Sequence, residues 1–453
     1  MSDEFAKINE KEELDGQDKG DEDVFDKSVN KKIFWRPMDY SIQELYNKNK
    51  TGEIDLSPTW QRNYVYDKIK ASRLIESVLQ DVPLPAIYLA EESDGTMSVI
   101  DGQQRLSTFF FFIDDKFPTK EGWTEFKLSG LKMLDLKCKY SDLDKPMQLK
   151  IQNTPIHVIK ILNESDEDVK FDIFERLNTG SMKLNEDEIR NSVYRGPYIE
   201  LLDKLADNKT FDKLVRKPNF KTRMLYRGMI LRFLALSEKT YINYRPSMKQ
   251  FCNKELRNNR NLLEEKAKEY QNRFEKCVEL CFSVFGENVF RRFKPGDAVT
   301  RDGNWSAIRI NMALFDIQMC GFVPYERNQI INRSDIIREA MLDLMCNDEE
   351  FIQSIESQTS STKQMTFRFE KWLNVLKQIL ADTPPSPRVF PYVIKKQLFD
   401  ADPTCKLCKN QIMAIEDAEV DHIIPYSQGG PTTLENAQIT HRYCNRHKSD
   451  NPA

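Results

Sequence analysis

Cys405-Lys-Leu-Cys408 begins a C-terminal segment that continues with Glu419-Val-Asp-His-Ile-Ile-Pro425, Leu434-Glu-Asn436 and His441-Arg-Tyr-Cys-Asn-Arg-His-Lys448. The whole chain of 453 residues contains nine cysteines and four histidines. Three of the cysteines and three of the histidines fall in this segment. Because thiols and imidazoles ligate transition metals and histidine also transfers protons, their clustering predicts a metal site or a catalytic site.

The thiols of this segment predict structural zinc. Cys405 and Cys408 form a Cys-x2-Cys pair, and thiolates at this spacing suit a tetrahedral zinc site once a second pair of ligands closes it. The second pair is either His441 with Cys444 or Cys444 with His447, since both have two intervening residues. The spacing leaves these two ligand sets open.

Asp421 and His422 predict a different chemistry. The Asp421 carboxylate and an amide oxygen can hold Mg²⁺, an ion that keeps most of its waters. The His422 imidazole can take a proton from an attacking water during phosphodiester hydrolysis, while the metal neutralises charge on the phosphate. Consecutive side chains of a β-strand point to opposite faces, so the two residues can take separate roles, provided that the strand is twisted or bulged there.

Taken together, these motifs resemble the HNH endonucleases of the ββα-metal fold, over roughly residues 405–451. The resemblance implies that His422 is the general base of a metal-dependent DNA hydrolase. It implies that Asp421 and Asn445 bind Mg²⁺ or Mn²⁺, although many relatives have a histidine where this chain has Asn445. It also implies that Asn436 holds the loop that orients His422.

The same resemblance favours one of the two zinc ligand sets. In zinc-containing relatives, the residue just before the catalytic His or Asn belongs to the second ligand pair. The favoured set is Cys405, Cys408, His441 and Cys444. His441 stands where cysteine is usual, so His447 remains a rival ligand.

A second motif, Asp101-Gly-Gln-Gln-Arg105, follows a predicted strand at Met97–Ile100 and begins an apolar helix. Gly102 allows a positive φ, the helix start offers free N–H groups, and Arg105 can bind a phosphate with two hydrogen bonds. Asp101, Gly102, Gln103, Gln104 and Arg105 could therefore hold a phosphate. An ordinary turn without a ligand is the alternative that these five residues leave open.

The stretches Ile54–Tyr66 and Phe174–Gly180 flank this motif, and the three together resemble the N-terminal domain of GmrSD-type restriction proteins. The resemblance covers about residues 38–195 and implies a fold similar to ParB and sulfiredoxin. It implies binding of a nucleoside triphosphate by residues 101–105, and it leaves hydrolysis of that nucleotide open. It further implies a role in defence against foreign, often base-modified, DNA.

The sequence predicts an α+β protein with several regions. These are an acidic disordered tail (1–30), the α+β domain with the Asp101–Arg105 motif (31–195), a mostly helical region (196–381), a proline-rich linker (382–400) and the small metal-binding module (401–453). Apolar spacing of three and four residues predicts helices at 226–236, 262–285, 336–345 and 367–380. Short apolar runs at 87–89, 97–100 and 156–162 predict strands.

Charge is segregated along the chain, whose formal net charge is −4. Residues 1–27 carry eleven acidic residues and four lysines, whereas residues 216–301 carry twenty basic and nine acidic residues. The basic excess predicts contact with DNA phosphates, and a solvated helical face is the alternative.

Several protein classes are excluded by composition. The apolar runs are far shorter than a membrane span, the N-terminus is acidic rather than basic, and the odd number of scattered cysteines does not suit a secreted disulfide framework. We therefore expect a cytoplasmic protein without a membrane partner, and the sequence leaves homo-oligomerisation open.

The function expected from these observations is a DNA endonuclease of a phage-defence system, in which a nucleotide-binding N-terminal domain controls an HNH module. DNA and nucleotide are the expected partners. The first alternative is a zinc-stapled DNA-binding regulator without cleavage activity. A nuclease site in the N-terminal domain ranks last, because residues 101–105 contain a single carboxylate.

Overall fold

The computed structural model describes residues 14–15, 32–56, 64–92, 94–119, 121–134, 136–165, 167–177, 185–217, 220–221, 224–306, 309–381 and 389–450. Most of the acidic tail, the segment 57–63, residues 178–180 and the proline run 382–387 lie outside these residues, so the predictions on them stay predictions. The chain divides into an N-terminal unit, residues 26–195, and a C-terminal unit, residues 196–453 with 1–25. Within the latter, strand β1 (Leu14–Asp15) pairs in parallel with Ile310–Asn311.

The N-terminal unit is built on a five-stranded mixed sheet. Its strands are β2 (Trp35–Ser41), β3 (Ile54–Asp55), β4 (Ile87–Glu91), β5 (Met97–Asp101) and β8 (Pro155–Ile161), in the order β2-β8-β4-β5-β3. The pair β4–β5 is antiparallel and carries a register shift between Tyr88 and Leu89. The predicted strands at 87–89, 97–100 and 156–162 are therefore confirmed. A small hairpin, β6 (Lys116–Thr119) and β7 (Gly122–Glu125), lies outside this sheet.

Helices cover the sheet and close the core of this unit. They are α1 (Ile42–Lys50), α2 (Lys68–Leu79), α3 (Gln103–Ile113), α4 (Lys145–Asn153), α5 (Glu167–Leu177) and α6 (Glu186–Val193). Asp67 caps the N-terminus of α2, because its side chain accepts a hydrogen bond from the Lys70 N–H at 2.7 Å. This capping satisfies one of the amides that a helix start leaves without a partner. Helix α3 then buries Leu106, Phe109 and Phe112 in the same core.

Helices dominate the first part of the C-terminal unit, residues 196–381, which we call the helical body. They are α7 (Pro197–Ala206), α8 (Lys209–Val215), α9 (Leu225–Leu236), α10 (Met248–Asn259), α11 (Glu264–Phe285), α12 (Met312–Gly321), α13 (Arg327–Ile331), α14 (Ser334–Asn347), α15 (Glu349–Glu356) and α16 (Thr362–Leu380). The four helices predicted from apolar spacing are confirmed. Short strands β9 (Phe293–Lys294) and β10 (Asn304–Trp305) pair as a hairpin, and β11 is Ile310–Asn311.

A buried ionic network ties three helices of the body together. Asp316 on α12 is fully buried and receives two hydrogen bonds from Arg232 on α9, at 2.6 and 2.7 Å. Arg368 on α16 reaches the same carboxylate at 3.2 Å and donates to the Thr359 carbonyl at 2.6 Å. Burial lowers the pKa of Arg368 to about 10, although Asp316 opposes the shift. The single negative charge of Asp316 is thus shared between two buried positive charges, those of Arg232 and Arg368.

The C-terminal module, residues 392–450, has the order helix, strand, strand, helix. Its elements are α17 (Tyr392–Ala401), β12 (Ala418–His422), β13 (Ala437–His441) and α18 (Arg442–Asp450). Strands β12 and β13 are antiparallel, with Asp421 opposite Gln438. Most of α17 falls in the predicted linker, where apolar Leu398 and Phe399 follow the prolines and pack against the core of the module. Residues 392–400 of the predicted linker are thus helical, and the predicted domain boundaries stay a prediction.

The module is docked on the helical body. Glu339 of α14 pairs with Arg442 of α18 and with Lys395 of α17, the latter at 2.8 Å. Arg446 donates to the Cys346 carbonyl at 3.1 Å. Both ends of the module therefore contact α14. Among the residues that the structure describes, no helix combines the length and apolar character that crossing a lipid bilayer requires.

Substitution of Asp316 by Asn tests the buried network. The variant keeps the shape of the side chain but leaves two buried guanidinium groups without a compensating charge, which should lower the free energy of unfolding by about 3–5 kcal/mol. Urea denaturation followed by tryptophan fluorescence measures this loss.

The matched control for that experiment is Asp335→Asn on α14. Asp335 pairs with Arg338 at 3.4 Å and its side chain is about half exposed, so its loss should change the free energy of unfolding by less than about 1 kcal/mol. Equal effects of the two substitutions would contradict the assignment of a special role to Asp316.

Candidate metal centre and active site

Four side chains of the C-terminal module converge on one point. The ligand atoms of Cys405, Cys408, His441 and Cys444 lie within 4.8 Å of one another. The Nδ1 atom of His441 is 3.4 Å from the Cys408 Sγ and 3.8 Å from the Cys444 Sγ. Three thiols and one imidazole nitrogen in this arrangement could hold a zinc ion with tetrahedral coordination.

The local electrostatics of the cluster suit a cation. Burial alone would raise the pKa of Cys405, but backbone N–H groups that include that of His441 lower it to about 7. Burial together with the neighbouring thiols raises the pKa of Cys444 to about 12. Thiols this close disfavour one another's ionisation, and a bound divalent cation removes that conflict because it stabilises every thiolate.

The rival ligand His447 lies elsewhere. Its side chain is exposed, its ring stacks on Tyr443 with centroids 4.0 Å apart, and its Nδ1 is 3.2 Å from the Tyr443 carbonyl. Position 447 is therefore on the outer face of α18, whereas His441 ends β13 and is fully buried. Of the two ligand sets that the spacing left open, the structure assembles the one with His441.

Oxygen-bearing side chains line the other part of the hairpin and helix. Asp421 accepts hydrogen bonds from Gln438 at 2.9 Å and from Lys448 at 2.8 Å. Asn445 on α18 donates its side-chain N–H to Glu419 at 2.9 Å. Glu419 and Asp421 are two residues apart on β12 and so share a face of the strand. The face holds two carboxylates and an amide opposite them.

His422 lies on the opposite face of β12 and is 8% exposed. Its Nε2 is 3.1 Å from the Thr432 hydroxyl, and its ring contacts Phe390 with centroids 4.4 Å apart. The Lys448 ammonium, which pairs with Asp421, is also 3.4 Å from the His422 carbonyl. The regular pairing of β12 with β13 keeps Asp421 and His422 on alternate faces.

The loop after His422 is closed by Asn436. The Asn436 side chain accepts from the Ile424 N–H at 2.8 Å and donates to the carbonyls of Ile424 and Pro431 at 3.1 and 2.8 Å. A Cβ at Gly430 would meet the Ile424 carbonyl at 1.9 Å, so only glycine fits there. These contacts fix the backbone between His422 and its hydrogen-bond partner Thr432.

In the N-terminal unit, the Asp101–Arg105 motif lies at a strand-to-helix turn, as predicted. Gly102 has φ +95°, and a Cβ there would meet Ile87 Cγ1 at 2.6 Å. Gln103 donates to the Leu56 carbonyl at 3.0 Å, and Gln104 accepts from the Val65 N–H at 3.0 Å. The two glutamines therefore hold both flanks of the segment 57–63.

Arg105 already uses its guanidinium inside this unit. It donates to Asp101 at 2.8 Å, to the Ala86 carbonyl at 3.0 Å and to the Pro85 carbonyl. The Arg105 side chain is only 13% exposed. These hydrogen bonds join the turn at residues 101–105 to the residues just before β4. The sequence did not predict this structural role of Arg105.

Comparisons with known proteins agree with this geometry. Residues 42–195 match the family model of the GmrSD restriction endonuclease, N-terminal domain. Residues 405–451 match the family model of the HNH endonuclease. Together the two matches correspond to a GmrSD-type architecture. They support a restriction-like nuclease with DNA as its substrate. No curated protein matches the chain.

Several residues around the HNH module's candidate site were missed by the sequence analysis. Glu419, Thr432 and Lys448 contact Asn445, His422 and Asp421 respectively. Glu419 had a sequence signal, because it precedes Asp421 by two residues in a predicted strand. Thr432 had none, since its contact with His422 depends on the fold of the intervening loop.

Zinc content tests the ligand set of the HNH module. Purified wild-type protein should contain one zinc ion per chain, and His441→Ala should lose most of it because one of four ligands is removed. His447→Ala is the matched control and should keep the metal. Atomic emission spectrometry measures the content. Zinc loss in the His447 variant but not in the His441 variant would contradict the assignment.

Proposed function

We propose that this chain is a metal-dependent DNA endonuclease of a defence system against foreign DNA, whose HNH module is controlled by a nucleotide bound to the N-terminal domain. One observation carries the proposal. A cluster of three thiols and one imidazole joins the β12–β13 hairpin to α18, the elements that bear Asp421, His422 and Asn445. The elements that the candidate zinc ligands hold together thus also carry Asp421, His422 and Asn445, which a purely structural zinc site does not need.

The oxygen ligands fit a hard divalent ion such as Mg²⁺ or Mn²⁺. Asp421 offers a carboxylate, and Asn445 offers an amide oxygen because its N–H group is already committed to Glu419. Glu419 therefore acts as a positioning residue that sets the orientation of the amide. The Lys448 ammonium forms an ion pair with the Asp421 carboxylate at 2.8 Å. If Asp421 binds a divalent ion instead, the ammonium can turn to a phosphate oxygen.

His422 is the proposed general base. Thr432 and Phe390 fix the imidazole ring, and Asn436 fixes the loop that supplies Thr432. The imidazole takes the proton of a water whose oxygen bonds to phosphorus, while the bond from phosphorus to the leaving oxygen breaks. When bound, the divalent ion neutralises charge on the phosphate and the leaving oxygen. A single such site cuts one strand in each engagement.

Nucleotide control is supported by the match of residues 42–195 and by the position of the Asp101–Arg105 motif. The turn at Gly102 places the start of α3 at the end of β5. The first N–H groups of a helix have no acceptor within the helix and can bind an anion. Because Arg105 is already bonded internally, the phosphate contact falls to the α3 N–H groups, with Asp101 and Arg105 shaping the turn. Whether the nucleotide is hydrolysed stays open in this proposal.

A second candidate function is a zinc-stapled DNA-binding regulator that does not cleave. The burial of His422 favours it, since a base must reach a water near the phosphate and this ring is 8% exposed. The two candidates share the zinc site and the DNA partner. They differ in what His422 and Asn445 do.

Replacement of His422 by Ala separates the two functions. The endonuclease proposal expects cleavage of phage DNA in Mg²⁺ to fall by about 10²–10⁴-fold, because general-base catalysis is lost. DNA affinity, measured by fluorescence anisotropy, should stay within about twofold, since phosphate binding comes mainly from Lys and Arg side chains. Modified and unmodified phage DNA, each with and without nucleotide, are the substrates.

The matched control is His157→Ala, an exposed histidine of the N-terminal unit that pairs with Asp39. Its cleavage rate should equal that of the wild type. Cleavage that survives in the His422 variant would refute the assignment of the base. Tight DNA binding by a wild-type protein that cuts none of the substrates would establish the second candidate instead.

Calorimetric titration with ATP and GTP tests the nucleotide proposal. Asp101→Asn should weaken nucleotide binding about tenfold, because the carboxylate that holds Arg105 and the turn is lost. Glu121→Gln, an exposed carboxylate of the same unit, is the matched control and should bind as the wild type does. A melting temperature checks that the variant is folded. Unchanged affinity in Asp101→Asn, or no binding by the wild type, would refute the pocket.

A further inference from the structure

His441 faces two different environments with its two ring nitrogens. Nδ1 points at the thiols, with Cys408 Sγ at 3.4 Å. Nε2 points away from them and lies 3.3 Å from Oδ1 of Asp302. Asp302 belongs to the loop between β9 and β10, which is part of the helical body and not of the C-terminal module. The candidate zinc site therefore has a neighbour from 139 residues earlier in the chain.

Further contacts hold this loop against the module. Asp302 Oδ1 also accepts a hydrogen bond from the Met413 N–H at 3.1 Å. The Arg301 guanidinium lies over the Tyr443 ring, 5.0 Å from its centroid. One contact of the Asp302 carboxylate and one of its neighbour Arg301 thus hold this loop against the module without involving His441. The approach of Asp302 to His441 Nε2 is therefore one of several contacts between the β9–β10 loop and the C-terminal module.

A second carboxylate, Asp417, completes the surroundings of Nε2. Asp302, Asp417 and His441 each place one ligand atom within 4.8 Å of the others, and Asp417 is fully buried. Neither Asp417 oxygen accepts a hydrogen bond of standard geometry from the described residues. The Nε2 side of the imidazole therefore faces two carboxylates, those of Asp302 and Asp417.

This arrangement places a carboxylate where metal-bound histidines generally have one, although the approach of His441 Nε2 to Asp302 lacks standard hydrogen-bond geometry. An imidazole that gives one nitrogen to a metal usually donates its other N–H to a carboxylate, which fixes the ring and strengthens the ligand, and loss of that partner costs 10–100-fold in metal affinity. We propose that Asp302 is the positioning residue of the zinc ligand His441, so that zinc binding locks the C-terminal module onto the helical body. The proposal rests on the zinc site of the proposed function.

Docking of the module on the helical body also affects the candidate active site. Helix α18 carries Asn445 between Arg442, which pairs with Glu339, and Arg446, which donates to the Cys346 carbonyl. Both partners of α18 lie on α14 of the helical body. A module released from the body loses these two contacts on either side of Asn445. The body therefore helps to hold the proposed Mg²⁺ ligand in register.

Zinc affinity of the full-length chain tests this inference. Asp302→Asn should weaken zinc binding at least about tenfold in competition with a chromogenic chelator. The visible spectrum of the Co²⁺-loaded variant should also differ from that of the wild type, because the donor strength of His441 changes. Asp400→Asn, an exposed carboxylate at the end of α17, is the matched control and should change neither. Unchanged zinc affinity and an unchanged spectrum in Asp302→Asn overturn the proposal.

A second measurement uses the wild-type protein and so does not depend on the folding of a variant. Amide hydrogen exchange with and without zinc should show faster exchange in the metal-free protein both in the module and in residues 295–303 of the body. Exchange that changes only within residues 402–450 overturns the proposed lock. Neither measurement involves DNA cleavage, so a protein that binds zinc in this way but cuts no DNA would refute the proposed function and leave this inference standing.

Discussion

The C-terminal module cannot hold its shape by apolar burial alone. Its core contains five buried residues, Cys405, Ile412, Ala418, Ile439 and Cys444, and two of them are candidate zinc ligands. Three small to medium apolar side chains contribute roughly 1.5–3 kcal/mol each at most. Structural zinc contributes about 10–16 kcal/mol in comparably small domains. We propose that metal ligation by Cys405, Cys408, His441 and Cys444 is the constraint on which the hairpin and α18 depend.

This constraint separates two kinds of ligand within one short segment. The candidate sulfur and imidazole ligands lie at one point, between β13 and α18, and the proposed oxygen ligands Asp421 and Asn445 lie at another, where Glu419 orients the Asn445 amide. The first set can be rigid because it performs no chemistry. The second can then keep open coordination positions for water and phosphate, as a catalytic metal requires. Docking on α14 and on the β9–β10 loop adds support from the helical body.

Much of this organisation could be predicted from the sequence because it is local. Apolar periodicity located the helices of the body, and ligand spacing reduced the zinc site to two sets. Spacing could not choose between His441 and His447, since the choice depends on whether the end of β13 or the second turn of α18 reaches the thiols. Arg105 shows the same limit: its partners at Pro85 and Ala86 are brought to it by the pairing of β4 with β5. The contact of Asp302 with His441 joins segments that no local pattern connects.

Anomalous X-ray scattering from crystals grown with zinc and Mn²⁺ tests the central claim most directly, because it locates each element by its absorption edge. The account predicts a zinc peak bounded by Cys405, Cys408, His441 and Cys444. It also predicts a separate manganese peak beside Asp421 and the amide oxygen of Asn445, on the strand face that carries Glu419. A zinc peak at any other ligands, or crystals in which manganese binds away from Asp421, would contradict it.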